Sequence, residues 1–143
     1  MAERLLALDS SVAVPLIIEN HPFHPALEKW AANKPQLYLS GHALAETYSI
    51  VTRLQEPFRV TPKQAQQVID GSFAGTLTPQ PDSYSRIHQL LAKVGISGGS
   101  TYDGLVALAA LDNQATLVTR DMRALGIYDA LGVKTEVIAN VAE

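Results

Sequence analysis

Cysteine is absent from this chain, and no apolar run is long enough to cross a membrane. None of the 143 residues is cysteine, so neither a disulfide framework nor a thiolate metal site can form. The amino terminus also lacks the apolar stretch of a signal peptide. These absences exclude secreted disulfide scaffolds and zinc fingers, and they predict a cytoplasmic protein with no membrane partner.

Positive charge is also scarce. The chain has 11 Lys and Arg against 14 Asp and Glu, a formal net charge of −3. This balance argues against a protein that grips nucleic acid by overall positive charge, but it leaves open one that holds phosphates through bound cations. The content of 47% hydrophobic and 17% charged residues is typical of a globular protein. The length predicts a single domain over residues 1–143.

Short apolar runs alternate with helical patterns along the chain. Strands are predicted before Asp9 and at residues 36–39, 76–78, 115–119 and 134–138. Helices are predicted at residues 10–19, from Pro25, at 41–54 after a Ser40 cap, at 62–70, at 82–94 after an Asp82 cap, at 101–112, and after Asp121. The connections are too long for hairpins. This alternation predicts an α/β fold, a three-layer α/β/α sandwich around a mainly parallel sheet.

Three acids, Asp9, Asp103 and Asp121, share one local setting. Each lies at or just inside the start of a predicted helix, and Asp9 and Asp121 follow strands. Helix capping explains such positions well, because Asp is a preferred cap and Ser100 with Asp103 matches a capping box. The alternative is a functional site, since parallel strands deliver their ends to the edge where α/β folds bind ligands. Taken singly, each acid favours the capping interpretation.

Glu46 supports the functional interpretation. With Ser40 as the cap, Glu46 falls past the first helical turn, so capping does not explain it. Its helical neighbours Ala43 and Ile50 are apolar, which places it at the margin of the buried face. The structural alternative is a carboxylate that reaches solvent or pairs with Arg53.

If the four acids meet, their mutual repulsion calls for compensating cations. Carboxylate oxygens without cysteine or a clear histidine set select Mg²⁺ or Mn²⁺ over zinc. Such cations polarise a phosphoryl oxygen and activate water, which is the chemistry of phosphodiester hydrolysis. The hydroxyls of Ser10, Ser11 and Thr119 are candidates to orient the acids, although turn and cap hydrogen bonding explains them equally well. The candidates for phosphate contacts are Arg53, Arg120 and Arg123.

The chain resembles the PIN-domain nucleases, and among them the small VapC-type toxins of prokaryotic toxin–antitoxin pairs. The resemblance is carried by LALDSS at Asp9, HALAETYSIVTRL at Glu46, GGSTYDGLVALAA at Asp103 and LVTRDMRAL at Asp121. It implies a Mg²⁺- or Mn²⁺-dependent endoribonuclease with these four residues as its metal-binding and catalytic acids. Thr119 matches the hydroxyl that the family places two residues before the last acid. The resemblance also implies a homodimer and a cognate antitoxin.

Two other classes of function remain open. A catalytically silent module could keep the fold as an RNA- or protein-binding platform, although the intact set of acids disfavours it. A phosphoacceptor signalling domain also gathers acids at the end of a parallel sheet. However, Asp9 has no acidic neighbour, and no lysine ends a late strand in the expected place.

Overall fold

The computed structural model describes residues 4–139, and its strands form one sheet in which every neighbouring pair is parallel. The strands are β1 (Leu6–Leu8), β2 (Tyr38–Ser40), β3 (Gly75–Leu77), β4 (Thr116–Thr119) and β5 (Thr135–Val137), in the spatial order β3-β2-β1-β4-β5. The predicted parallel sheet is therefore confirmed. The run at residues 76–78 is the edge strand that its flanking prolines indicated.

Helices cover both faces of this sheet. They are α1 (Ser10–Ile17), α2 (His24–Ala31), α3 (Ala43–Thr52), α4 (Pro62–Ser72), α5 (Pro81–Ser85), α6 (Ile87–Lys93), α7 (Ser100–Asp112) and α8 (Met122–Leu131). Alternate strand residues point to opposite faces, so Leu8 and Val118 pack with α1, α2 and α4, whereas Ala7 and Leu117 pack with α7 and α8. The two cores confirm the three-layer sandwich.

The strand order creates one switch point, between β1 and β4. From β1 the chain builds outward through β2 to β3, and then crosses to β4 and β5 on the other side. Crevices at the carboxyl ends of strands beside such a point are the usual ligand sites of open α/β sheets. Asp9 directly follows β1, and Asp121 lies two residues beyond β4. The topology thus brings together two acids that are 112 positions apart in the sequence.

Several predicted helix boundaries were wrong. Ser40 does not cap a helix: it ends β2, and its hydroxyl donates to the Val106 carbonyl at 2.8 Å, which ties the sheet to α7. The segment 82–94 forms two helices rather than one, with Gln80 as the first cap and Asp82 inside the first turn. Gly71, predicted to end its helix, lies within α4. A tertiary contact explains the outcome at Ser40, and a local break at Arg86 explains the division of segment 82–94.

The start of α4 is capped by the side chains of Thr61 and Gln64. The Thr61 hydroxyl accepts from the Gln64 backbone N–H at 3.1 Å, and the Gln64 side chain accepts from the Thr61 N–H at 2.9 Å. We expect Thr61→Ala to lower the free energy of unfolding by about 1 kcal/mol, because two helix N–H groups lose their partners or their alignment. Urea denaturation measures this loss. Thr61→Ser, which keeps the hydroxyl, should retain most of the stability, and an equal loss in both variants would contradict the capping explanation.

Candidate active site

Asp9 is the buried centre of a hydrogen-bonded cluster at the switch point. Its side chain is only 4% exposed. Oδ1 accepts from the backbone N–H of Ser11 at 3.0 Å and from the Ser11 hydroxyl, and Oδ2 accepts from the hydroxyls of Thr119 and Tyr128. Burial raises the pKa of Asp9, and these donors oppose that rise because they stabilise the charged form.

The two hydroxyls beside Asp9 also hold the neighbouring loop. The Ser11 hydroxyl accepts from the Arg120 backbone N–H at 2.8 Å, and the Thr119 hydroxyl accepts from the Asp121 N–H at 2.9 Å. Both hydroxyls therefore connect the end of β1 to the turn that leads into α8. The structure places Ser11 and Thr119 against Asp9, which is one of the two alternatives that the sequence left open for them. Ser10 begins α1, and its hydroxyl is not among the groups that donate to Asp9.

Tyr128 is a member of this cluster that the sequence analysis missed. It lies on α8, it is 1% exposed, and its hydroxyl donates to Asp9 Oδ2 at 2.9 Å. Burial, followed by the charge of Asp9, raises the pKa of Tyr128 well above its usual value, so the hydroxyl keeps its proton. In the sequence this residue looks like any aromatic on the inner face of a helix. The only available signal was its position seven residues after Asp121, two helical turns along the same helix.

The other three acids surround Asp9 closely enough to affect one another. The pKa of Glu46 rises to about 7, first through burial and then through the charges of Asp103, Asp9 and Asp121. Burial, followed by the charges of Asp121 and Asp9, also raises the pKa of Asp103. The structure thus brings together the four predicted acids from the ends of two strands and from the first turns of α3 and α7.

Capping accounts for two of these acids but not for the other two. Asp9 accepts from an N–H of α1, and Asp121 accepts from the N–H groups of Arg123 and Ala124 at 3.0 and 3.3 Å. The capping box predicted for Asp103 is not formed, because Gly99 is the cap of α7 and has no side chain to offer. Glu46 lies in the first turn of α3, not beyond it, because α3 begins at Ala43. The cap residue is His42, whose side chain makes no capping hydrogen bond. The predicted position of Glu46, past the first turn of its helix, was therefore wrong.

Three basic residues were candidates for phosphate contacts, and one of them lies at this site. Arg120 donates from its guanidinium to the Ser11 carbonyl at 2.9 Å, and its guanidinium carbon lies 4.1 Å from the centroid of the Phe23 ring. Burial lowers the pKa of Arg120, and the charge of Asp9 opposes this. Arg53 ends α3 and donates to Ser49 at 3.1 Å, and the exposed Arg123 contributes its backbone N–H to the Asp121 cap.

The donor chemistry of the site fits a hard divalent cation. The four side chains offer carboxylate oxygens only, and their repulsion is what a bound cation would neutralise. Within residues 4–139, however, no three acidic or histidine side chains already stand at metal-binding geometry. Both Asp9 oxygens are engaged by hydrogen-bond donors, which fix its orientation. The site therefore has the charge and the ligand type for Mg²⁺ or Mn²⁺, without a closed ligand set.

The raised pKa of Glu46 predicts a pH-dependent cost to stability. In the unfolded chain this carboxyl ionises around its ordinary pKa of 4.5, whereas in the folded protein it stays protonated until about pH 7. The contribution of Glu46 to the stability of the folded protein is therefore fully present below pH 4.5 and is lost as the pH rises through 7. We expect Glu46→Gln to raise the free energy of unfolding at pH 8, without divalent cations, by about 1 kcal/mol, since partial exposure screens the interaction.

Urea denaturation of both proteins at pH 4 and pH 8 measures this difference. The stabilisation should appear at pH 8 and disappear at pH 4. Glu28→Gln, on the exposed side of α2, is the matched control and should change little at pH 8. An equal gain in the free energy of unfolding at both pH values would show that ionisation of Glu46 does not destabilise the folded protein.

Comparison with known proteins identifies the family. The family model that describes the PIN domain matches residues 6–130 of this sequence. This match spans most of the chain and includes all four acids. The chain therefore belongs to the PIN-domain family.

Within this family, the chain is similar to individual proteins that carry the VapC name. The chain is 42% identical over 134 residues to Ribonuclease VapC27 of Mycobacterium tuberculosis, covering 94% of this chain and 97% of the relative. It is 36% identical over 135 residues to Ribonuclease VapC40 of the same species, covering 94% and 99%. Among solved structures, DNA-bound VapBC from Salmonella typhimurium aligns with a TM-score of 0.64 at 20% identity, covering 94% and 98%. At that identity the structural likeness shows the fold alone.

Proposed function

We propose that this protein is a divalent-cation-dependent endoribonuclease that acts as the toxin of a toxin–antitoxin pair. The observation that carries the proposal is the group of four mutually repelling carboxylates, Asp9, Glu46, Asp103 and Asp121, at the switch point of a PIN-domain sheet. The relatives named VapC27 and VapC40 are ribonucleases by name and match nearly the whole chain. This combination favours RNA phosphodiester hydrolysis.

The four acids are the residues that would hold Mg²⁺ or Mn²⁺. When bound, such a cation supplies charge neutralisation at the phosphate and activation of water for attack. Asp9 is the most rigid of the four, because four donors fix both of its oxygens. Glu46, whose pKa rises to about 7, is an acid whose protonation would respond near neutral pH to the arrival of a cation or a phosphate. Arg120 adds a positive charge beside Asp9.

The proposed setting is a cytoplasmic complex with an antitoxin. The antitoxin partner is proposed on the family resemblance, and the name of the structural neighbour from Salmonella typhimurium, DNA-bound VapBC, agrees with it. No helix within residues 4–139 combines the length and the apolar character needed to span a bilayer. We also propose a homodimer, on the family resemblance, and light scattering of the purified protein measures its mass.

Cleavage of RNA by the purified protein tests the proposed activity. We expect cleavage with Mn²⁺ or Mg²⁺ and none with excess chelator. Asp103→Asn controls for a contaminating ribonuclease, since it changes a proposed ligand that caps no helix. Cleavage that survives both the chelator and this variant would refute the mechanism. RNA binding without cleavage in any divalent cation would instead favour the silent binding module.

A further inference from the structure

Tyr128 links the core of the protein to the acidic site. Its ring belongs to the buried cluster between the sheet, α7 and α8, which includes Ala107, Ala110 and Leu117. Its hydroxyl emerges from that cluster at Asp9 Oδ2, 2.9 Å away. Small alanine side chains on α7 leave room for the ring. Close packing leaves such a ring little freedom, so the position of the hydroxyl is set by the core and not by a flexible side chain.

The Tyr128 hydroxyl is one of four donors around Asp9. A carboxylate accepts about four hydrogen bonds, so a bound cation would take the place of one donor, and a hydroxyl that rotates away frees that position. Ser11 provides both donors to Oδ1, and Thr119 and Tyr128 provide the donors to Oδ2. Donors on both oxygens prevent rotation of the carboxylate about its Cβ–Cγ bond. Ser11 lies in the first turn of α1 and the buried Thr119 ends β4, whereas Tyr128 reaches Asp9 from α8 with its ring packed in the core.

We propose that Tyr128 is a positioning residue, whose hydroxyl holds the Asp9 carboxylate in the orientation that binds the divalent cation. This inference rests on the proposed function, because it takes Asp9 as a cation ligand. Hydrogen-bond partners of metal ligands orient them, and their loss typically weakens metal binding 10- to 100-fold. A core tyrosine with a merely structural role would stabilise the fold without affecting the cation.

Tyr128→Phe tests this inference, because it removes the hydroxyl and keeps the ring. We expect Mn²⁺ binding, measured without RNA by electron paramagnetic resonance, to weaken about 10-fold. Tyr38→Phe is the matched control, since the Tyr38 hydroxyl donates to the exposed Gln36 side chain at 3.4 Å, away from Asp9. It should bind Mn²⁺ as the wild type does. Unchanged or tighter binding by Tyr128→Phe would overturn the proposal.

A double-mutant cycle separates positioning from a general effect on the fold. In the Asp9→Asn background, Tyr128→Phe should cause no further loss of Mn²⁺ affinity, because the group that it positions is gone. A second loss of similar size would show that Tyr128 acts by another route and would also overturn the proposal. Circular dichroism establishes that each variant is folded.

A measurement on the wild-type protein covers the case in which Tyr128→Phe does not fold. With tyrosine labelled by ¹³C at Cζ, the Tyr128 resonance should shift and saturate as Mg²⁺ is added, whereas that of Tyr38 should not move. An unmoved Tyr128 resonance at saturating Mg²⁺, or no binding of cation at all, would contradict the inference. Failure of the wild type to cleave RNA, with the Mn²⁺ results as expected, would count against the proposed function alone.

Discussion

Asp9→Asn is expected to reduce cation-dependent RNA cleavage by at least about 100-fold. Loss of a group that merely orients a metal ligand already costs 10- to 100-fold, and Asp9 is proposed to be a ligand itself. The substitution removes the charge and replaces one acceptor oxygen with an N–H donor. That donor would face either the Ser11 N–H and hydroxyl or the hydroxyls of Thr119 and Tyr128. Initial rates with saturating Mn²⁺ measure the effect.

The same substitution also lowers stability, which the experiment must separate from activity. The two donors that face the replaced oxygen lose their acceptor, at a cost of about 1 to 3 kcal/mol for each donor left unpaired. Asn remains a good helix cap, so α1 should still form. Asp82→Asn is a suitable control, because Asp82 lies on the exposed α5, where it pairs with Arg86 at 3.6 Å. A folded Asp9→Asn protein that cleaves RNA at the wild-type rate would exclude Asp9 from the active site.

Gly41→Ala is expected to cause the largest loss of stability. Gly41 lies between β2 and α3 with a φ of +55°, a left-handed conformation that disfavours side chains. An added Cβ would also lie 2.8 Å from the Cβ of the buried Ala109 and 3.4 Å from the Leu105 carbonyl oxygen. Neither atom can swing away, because one is a buried methyl group and the other belongs to the α7 backbone. The combined cost is about 3 kcal/mol.

Thermal unfolding measures this prediction, with an expected fall in Tm of about 10 °C. Gly98→Ala is the matched control: its φ is +61°, and nothing lies within 4 Å of the added Cβ. It should cost only about 1 kcal/mol, from backbone strain alone. Equal losses of stability in the two variants would mean that the close approach of Gly41 to α7 adds nothing to the cost of a side chain at this position. RNA cleavage should fall with Gly41→Ala only as far as the folded fraction falls.

The acids show how far sequence reasoning reaches. Asp9 and Asp121 could be found because a short buried strand that ends in an acid is a local pattern, and strands with alternating helices build a parallel sheet. Glu46 was found by an argument that placed it too far along its helix. The predicted start of that helix was wrong because Ser40, although a residue type that often caps helices, donates its hydroxyl hydrogen to the Val106 carbonyl of α7. That contact joins residues 66 positions apart and leaves no local trace.

The contact between Tyr128 and Asp9 could not be predicted from the sequence. Its role depends on the distance between its hydroxyl and Asp9, and these residues lie 119 positions apart. The choice among the three arginines was likewise tertiary: Arg120 contacts Ser11 because β1 pairs with β4, whereas Arg53 and Arg123 lie on exposed helix surfaces. No periodicity or spacing distinguishes one arginine from another.

The sequence by itself determined the alternation of strands and helices and the parallel sheet, because both follow from local patterns of apolar and polar residues, and it predicted the four acids as a site. Only the tertiary structure decided which donors hold Asp9, how strongly the acids raise one another's pKa values, and why Gly41 must lack a side chain. The physical reason is the same in each case. Hydrogen bonds, charge repulsion and close packing act over a few ångströms in space, whatever the separation along the chain.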